Sequence, residues 1–240
     1  MAGRWLRSQV NSGVRVALSA LKVGFSAGLG SLVAASALAQ QPQPIGNAQR
    51  GATLASTCLG CHGIQGYRNA YPDYAVPRLA GQHPEYLTAA LGEYRSGARQ
   101  YPTMHLQALS LSDQDIADVA AYLASKPIEA ASPASSTSQP EAPKAAAVCV
   151  SCHGPNGIGV TPMYPSLAGQ HASYLARAIQ EYQTGYRKNA IMNGMVATLK
   201  PEDITAIANY FSSLKPGLRT ESRPFFRWTE PGRSDQASGK

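Results

Sequence analysis

Acidic residues are missing from the first 39 positions, which carry Arg4, Arg7, Arg15 and Lys22. Without that segment 17 basic residues face 14 acidic ones, so the formal charge of +7 belongs mostly to the N-terminus. The remainder has no Lys/Arg stripe with interleaved aromatics, which excludes a nucleic-acid-binding footprint. Apolar runs long enough for a membrane span are missing too. The one candidate, residues 23–39, is 17 residues long and holds three Gly and three Ser, short and weakly apolar for a span. Behind a basic n-region and before Ala37-Leu38-Ala39, it reads as a secretory signal over 1–39. That places the mature chain in the periplasm, with an uncleaved N-terminal anchor as the alternative. Alternating runs long enough for a sheet are also absent, which excludes β-rich folds and leaves an all-α reading. Cysteine is scarce: the chain has four.

What is present is a repeat. The stretch "RLAGQHPEYL" at 78–87 returns as "SLAGQHASYL" at 166–175, an offset of 88. The same offset carries "GEYRSGAR" at 92–99 onto "QEYQTGYR" at 180–187, and "LSDQDIADVAAYL" at 111–123 onto "LKPEDITAIANYF" at 199–211. The cysteine motifs are offset by 91, so the first copy holds three extra residues in or near "YRNAYPDYAV". One domain of roughly 80 residues is therefore present twice, at 45–127 and 144–216. The Ala/Ser/Pro-rich segment 128–143 cannot bury a core and reads as a linker, and 217–240 as a polar, loosely ordered tail.

Within each copy helices alternate with turns. Pro84 suits the first turn of one helix and Gly97 its stop. Ser112 with Asp115 resembles a capping box, after which Ile116, Val119, Ala120 and Leu123 fall at helical spacing. Pro201 opens the equivalent helix of the second copy, with Ile204, Ile207, Ala208 and Phe211 inside. A short helix leads into each cysteine pair, and residues 62–81 read as an almost structureless loop. Each copy has few large apolar side chains, and a bare 80-residue chain is marginal, so something other than side chains should fill the core.

Both cysteine pairs read Cys-x-x-Cys-His: Cys58, Cys61 and His62, then Cys149, Cys152 and His153. A thioredoxin-like dithiol would lie near a βαβ pattern, and there is none. One zinc held by both pairs would have four thiolates, but would leave both histidines without a role and would tie together two domains joined by a linker. A covalently attached haem c in each copy explains all three residues of the motif. Two sulfurs one helical turn apart meet the haem vinyl groups, and the adjacent histidine meets the iron. The apolar disc also completes the core. All four cysteines are then thioethers, and none remains for a disulfide.

On both "CxxCH" motifs, both "LAGQH" stretches and both late helices ending "AAYL" and "ANYF", residues 45–216 resemble the two-haem cytochromes of the cytochrome c-four type. These are tandem class I cytochrome c domains. The resemblance implies a non-enzymatic carrier of electrons between respiratory-chain partners. The donor would be a quinol-oxidising complex or a dehydrogenase and the acceptor a terminal oxidase, with membrane association through partners or an uncleaved N-terminus. The alternative is the cytochrome subunit of a periplasmic dehydrogenase complex. The family places a methionine loop after "LAGQH". The first copy offers Met104, and the offset of 88 maps it onto Met192. His62 with Met104 and His153 with Met192 are thus the expected axial pairs, which raise the reduction potential. Met195 maps onto Gln107 and His105 onto Asn193, so neither has a matching counterpart. His83 and His171 read as helix-entry residues. The resemblance further implies that the carbonyls of Pro77 and Pro165 orient the proximal histidines. Arg99 and Arg187 are candidates for the haem propionates or for plain helix-end cations. Residues 47–127 balance at six basic and six acidic, whereas 144–219 carry seven against three.

Overall fold

The computed structural model describes residues 44–130 and 140–222; the proposed signal over 1–39 and most of the linker and tail lie outside them. The first copy is built from α1 (Ala48–His62), α2 (Pro84–Ser96), α3 (Pro102–Leu109) and α4 (Asp113–Ala124). The second has a 3-10 turn at Lys144–Ala146, then α5 (Val150–His153), α6 (Ala172–Gln183), α7 (Ala190–Val196) and α8 (Pro201–Ser213). Among the described residues there is no strand. Isolated antiparallel bridges join Arg68 to Ala75, Ala80 to Arg219, Arg99 to Arg187 and Glu129 to Gly217.

The expected helix signals operate as read. Pro84 opens α2 and Gly97 closes it at φ 79°, a left-handed conformation open to glycine without a Cβ clash. Ser112 and Asp115 form the reciprocal capping box of α4, with Ser112 N–H donating to Asp115 at 3.0 Å. The helix before the first cysteines is longer than expected. Asn47 caps it by accepting the Gln49 and Arg50 N–H groups, and its 15 residues cross α4. At that crossing a Cβ on Gly51 would collide with the backbone of Asp118, so the helices approach at glycine contact. Asp118 is fully buried there, accepting the Asn47 N–H at 2.7 Å and pairing with Arg50. The second copy keeps only the 3-10 turn and the four-residue α5 at the equivalent place.

Small cores follow in each copy. Ala55, Leu59, Leu87, Val119, Tyr122 and Leu123 form the first, with Cys58 packed against it. Leu175, Ile207, Ala208, Tyr210, Phe211 and Leu214 are the main members of the second, with Cys149 packed against it. The loop after the first cysteines is ordered rather than structureless. Its three-residue insertion is closed by Asn69 N–H to Tyr74 O (3.0 Å), Val76 N–H to Tyr67 O (2.9 Å) and an Arg68–Asp73 ion pair at 2.7 Å. Ala75 N–H then donates to Ser173 Oγ of the second copy at 3.0 Å.

The two copies face each other across a pseudo-two-fold seam. Gln82 Oε1 accepts the Ser166 N–H (2.9 Å) while its Nε2 donates to Ser166 O (3.0 Å). Gln170 repeats this with Arg78, accepting its N–H and donating to its carbonyl, both at 2.9 Å. Residues 78 and 166, and 82 and 170, are each one repeat apart, so these four bonds are mutually reciprocal. At the far end of the seam Gln100 N–H donates to Tyr186 O (3.1 Å) and Lys188 N–H to Ala98 O (2.9 Å), again one repeat apart.

The start of the expected tail crosses this axis. Leu218, fully buried, donates its N–H to Ala168 O at 2.7 Å, and Arg219 donates to the equivalent Ala80 O at 3.4 Å. Arg219 Nε reaches Pro127 O at 2.7 Å, and Glu221 pairs with Lys126 at 3.6 Å. Residues 217–222 therefore strap both copies together. A polar composition hid this because the contacts are made mainly by the backbone.

Candidate functional site

Each Cys-x-x-Cys-His unit ends a helix, and the chain turns at the next glycine. In the first copy α1 delivers Cys58, Cys61 and His62; in the second Cys149 is the N-cap of α5, which delivers Cys152 and His153. All four cysteines are unpaired. Burial raises the thiols of Cys58 and Cys149 above their ordinary value, an apolar setting that disfavours thiolate. Among the described residues no group of three or more His, Cys, Asp or Glu side chains is placed to hold a metal ion, so the four-thiolate zinc arrangement is not formed.

Both motif histidines are aimed by a carbonyl. His62 Nδ1 lies 2.8 Å from Pro77 O, and His153 Nδ1 lies 2.9 Å from Pro165 O. A carbonyl can only accept, so Nδ1 carries the hydrogen in each ring and Nε2 keeps its lone pair for a metal. Burial holds both imidazoles below their ordinary value, with the carbonyls opposing it.

In the second copy His153 borders a cavity of about 520 Å3. Its walls include Leu167, Leu175, Ile179, Val196, Ile207 and Phe211, and Cys149 and Cys152 lie on it. Met192 lines it too, with its N–H capped by Asn189 at 3.1 Å. Met163 and Met195 share the lining. At one end the lining turns polar and crosses the seam, where Tyr174, Tyr182 and Arg187 meet Tyr86, Glu93 and Arg99 of the first copy. Arg187 Nε donates to Glu181 at 2.7 Å and its Nη2 to Tyr174 OH at 3.3 Å. Arg99 repeats this with Glu93 at 2.5 Å and Tyr86 OH at 3.2 Å. Both arginines are 4% exposed, which sets aside the reading of surface helix-end cations. Apolar walls, two sulfurs, an imidazole nitrogen and a cationic end fit a haem held by Cys149, Cys152 and His153.

Other sequence candidates take structural places. His83 and His171 are the N-cap residues of α2 and α6, as expected. Burial, with help from Arg78 and Arg68, pushes His171 down to about 4, so it is uncharged at neutral pH. His105 Nδ1 lies 2.7 Å from Tyr94 O, and Asn193 Nδ2 donates to the equivalent carbonyl of Tyr182. These two unlike residues do one job, stopping the end of α2 or α6. The residues that sequence reasoning passed over are Gln82 and Gln170. Both stand in the repeated "LAGQH", and that recurrence was the available signal.

The "Cytochrome c" family model matches residues 48–126 and 143–215. A cytochrome c4 of Pseudomonas aeruginosa is 36% identical over 183 residues, covering 70% of this chain and 89% of the relative. A thiosulfate dehydrogenase electron acceptor of Stutzerimonas stutzeri is 33% identical over 174 residues, covering 67% and 80%. The crystal structure of reduced recombinant cytochrome c4 from Pseudomonas stutzeri superposes at TM-score 0.55 and 31% identity, over 70% of this chain and 99% of that one. A thiosulfate dehydrogenase structure from Marichromatium purpuratum superposes at TM-score 0.55 and 33% identity, with 70% of this chain matching 40% of that one. With two matched domains, two Cys-x-x-Cys-His units and a cavity of the right chemistry, this chain belongs to the cytochrome c family as a two-haem electron carrier of the cytochrome c4 type, with one covalent haem c per copy.

Proposed function

We propose that the protein works in the periplasm as a non-enzymatic carrier whose irons are held by His62 with Met104 and by His153 with Met192. Bound haem supplies a one-electron ferric/ferrous couple, and a thioether ligand raises its potential. The protein's own residues do the rest. Cys58, Cys61, Cys149 and Cys152 anchor the group, and the Pro77 and Pro165 carbonyls fix the imidazole planes. Arg99 and Arg187 neutralise propionates beside the seam. The observation that carries the reading is the polar end of the second cavity, lined by Tyr86, Glu93 and Arg99 of the first copy. That arrangement puts first-copy side chains on the second copy's cavity and would support electron exchange between groups held in the two copies. Among the described residues no helix is long and apolar enough to cross a membrane; membrane association would run through partners or an uncleaved N-terminus.

A second reading is that electrons arrive from a dehydrogenase, as the names of two relatives, thiosulfate dehydrogenase electron acceptors, suggest for those proteins. In the first reading the donor is a quinol-oxidising complex and the acceptor a terminal oxidase. A spectroscopic redox titration of the wild type, Met104→Ala and Met192→Ala tests the ligation. Each substitution should abolish the methionine-to-iron charge-transfer band of one haem and lower that haem's potential. Retention of both bands in either variant overturns the assignment. Co-purification with a dehydrogenase subunit separates the two donor readings.

A further inference from the structure

The seam holds a cavity of its own, of about 40 Å3, apart from the larger one beside His153. Its lining repeats itself: Pro77 with Pro165, Leu79 with Leu167 and Gln82 with Gln170, each pair 88 positions apart. The cavity therefore sits on the pseudo-two-fold axis, and its walls come from both copies. One lining pair is unlike, Arg78 in the first copy and Ser166 in the second. Pro77 and Pro165 are also the residues whose carbonyls aim His62 and His153. The supports of both histidines thus border one space.

The hydrogen bonds of that lining do not close. Arg78 uses its backbone N–H and C=O on Gln170, and its Nη1 donates to Gly169 O. Its Nε is buried and, among the described residues, has no partner. Buried donors in native proteins are nearly always paired, with protein or with ordered water. The glutamines cannot help, because both lone pairs of each amide oxygen are taken. Gln82 Oε1 accepts from His83 and Ser166, and Gln170 Oε1 from Arg78 and His171. Pro77 O and Pro165 O have each accepted one ring N–H and keep a second lone pair. The lining therefore combines a stranded donor with two half-used acceptors. A water takes about 30 Å3 of the liquid, so the cavity has room for one.

We infer that the seam cavity is a binding site for one ordered water, which accepts from Arg78 Nε and donates to the Pro77 and Pro165 carbonyls. Water fits because it accepts and donates at once. An apolar group would strand the Nε–H, and an anion could not donate to the carbonyls. The consequence reaches both histidines. A carbonyl that also accepts from water is a weaker acceptor for the imidazole Nδ1–H, and that bond sets the basicity of the ring as a ligand. One molecule then biases His62 and His153 in the same direction, and it is held only while the copies are joined.

Crystals of the two-haem protein should show one density peak about 2.7–3.2 Å from Arg78 Nε and within the same reach of both proline carbonyls. In solution, oxygen-17 relaxation dispersion of the ferrous protein counts long-lived waters, with labelled water as the probe. Arg78→Met removes the Nε donor but keeps the backbone bonds to Gln170, and should lower the count by one. It should also move the Nδ1–H proton resonances of His62 and of His153, the second lying in the other copy. Arg68→Met, which removes an exposed cation paired with Asp73, should change neither. Unchanged haem absorption per chain and amide protection at Ser166 show that each variant is loaded and its copies joined. Should Arg78→Met fail that control, the wild-type crystal decides by itself. Nε bonded to a haem propionate or a protein group, a dry cavity, a chloride in place of the water, or a histidine response confined to the first copy overturns the proposal.

Discussion

Gln82→Ala isolates the energy of the seam. Gln82 is buried and makes three hydrogen bonds, two of them to the backbone of Ser166, itself 2% exposed. Truncation leaves the Ser166 N–H and C=O without a partner in the second copy, 84 positions away. A buried polar group stripped of its partner costs about 1–3 kcal/mol. Two such groups bring the gross loss to about 2–6 kcal/mol. The ordering cost of a buried glutamine side chain, up to about 2 kcal/mol, is recovered on truncation. Taking the middle of the gross range, about 4 kcal/mol, and subtracting up to about 2 gives an expected net loss of about 2–4 kcal/mol, a large fraction of ordinary domain stability. Each copy keeps its own core and covalent haem, so the loss should fall on the contact between copies. Denaturant unfolding of the two-haem protein should change from one transition toward two, and small-angle scattering should show a larger radius. Gln170→Ala, its repeat partner, should cost a similar amount, and the double variant less than the sum, because the first cut already loosens the seam. A loss under about 0.5 kcal/mol with unchanged exchange protection at the Ser166 amide would refute the reasoning.

Other consequences are as direct. Gly51→Ala should cost several kcal/mol or prevent folding of the first copy, because the added methyl meets the Asp118 backbone where α1 crosses α4; thermal melts followed at the first haem read this. Asp118 has its carboxyl held below the ordinary carboxylate value by the Asn47 N–H, with Arg50 and Gln114 adding to it. A depressed folded-state value means its stabilisation is present above about pH 4 and is lost as pH falls through the lower folded value. Asp118→Asn should therefore be less stable at pH 7 and show a flatter acid limb in stability-against-pH curves. Arg187→Gln should lower stability by about 3–5 kcal/mol, since it strips a buried ion pair, and should shift the potential of the second haem; an unchanged potential would place the propionates elsewhere. Leu218→Asp should open the strap, exposing the Ala80 and Ala168 carbonyls to exchange-competent water, which infrared amide bands of the folded protein would detect.

The sequence by itself determined everything that depends on local chemistry or on comparing the chain with itself. The Cys-x-x-Cys-His units are read from neighbours on one turn, and Pro84, Ser112 and Pro201 from the backbone groups each helix start leaves unpaired. The offset of 88 paired Met104 with Met192 and set His105 against Asn193 before any coordinates. It could not reveal that His105 and Asn193 share a task, because an imidazole and an amide look unlike until both are seen donating to the same carbonyl of the repeat. Tertiary structure alone decided how the copies meet. The seam is written in side-chain-to-backbone and backbone-to-backbone bonds spanning some 90 positions, and such bonds leave no periodic or compositional trace. So Gln82 and Gln170 drew no reading of their own, and Leu218 and Arg219 looked like a loose tail. The 16-residue linker does not by itself specify how the domains face. Linker length limits only how far apart the copies can drift; complementary groups on the two faces fix where they settle.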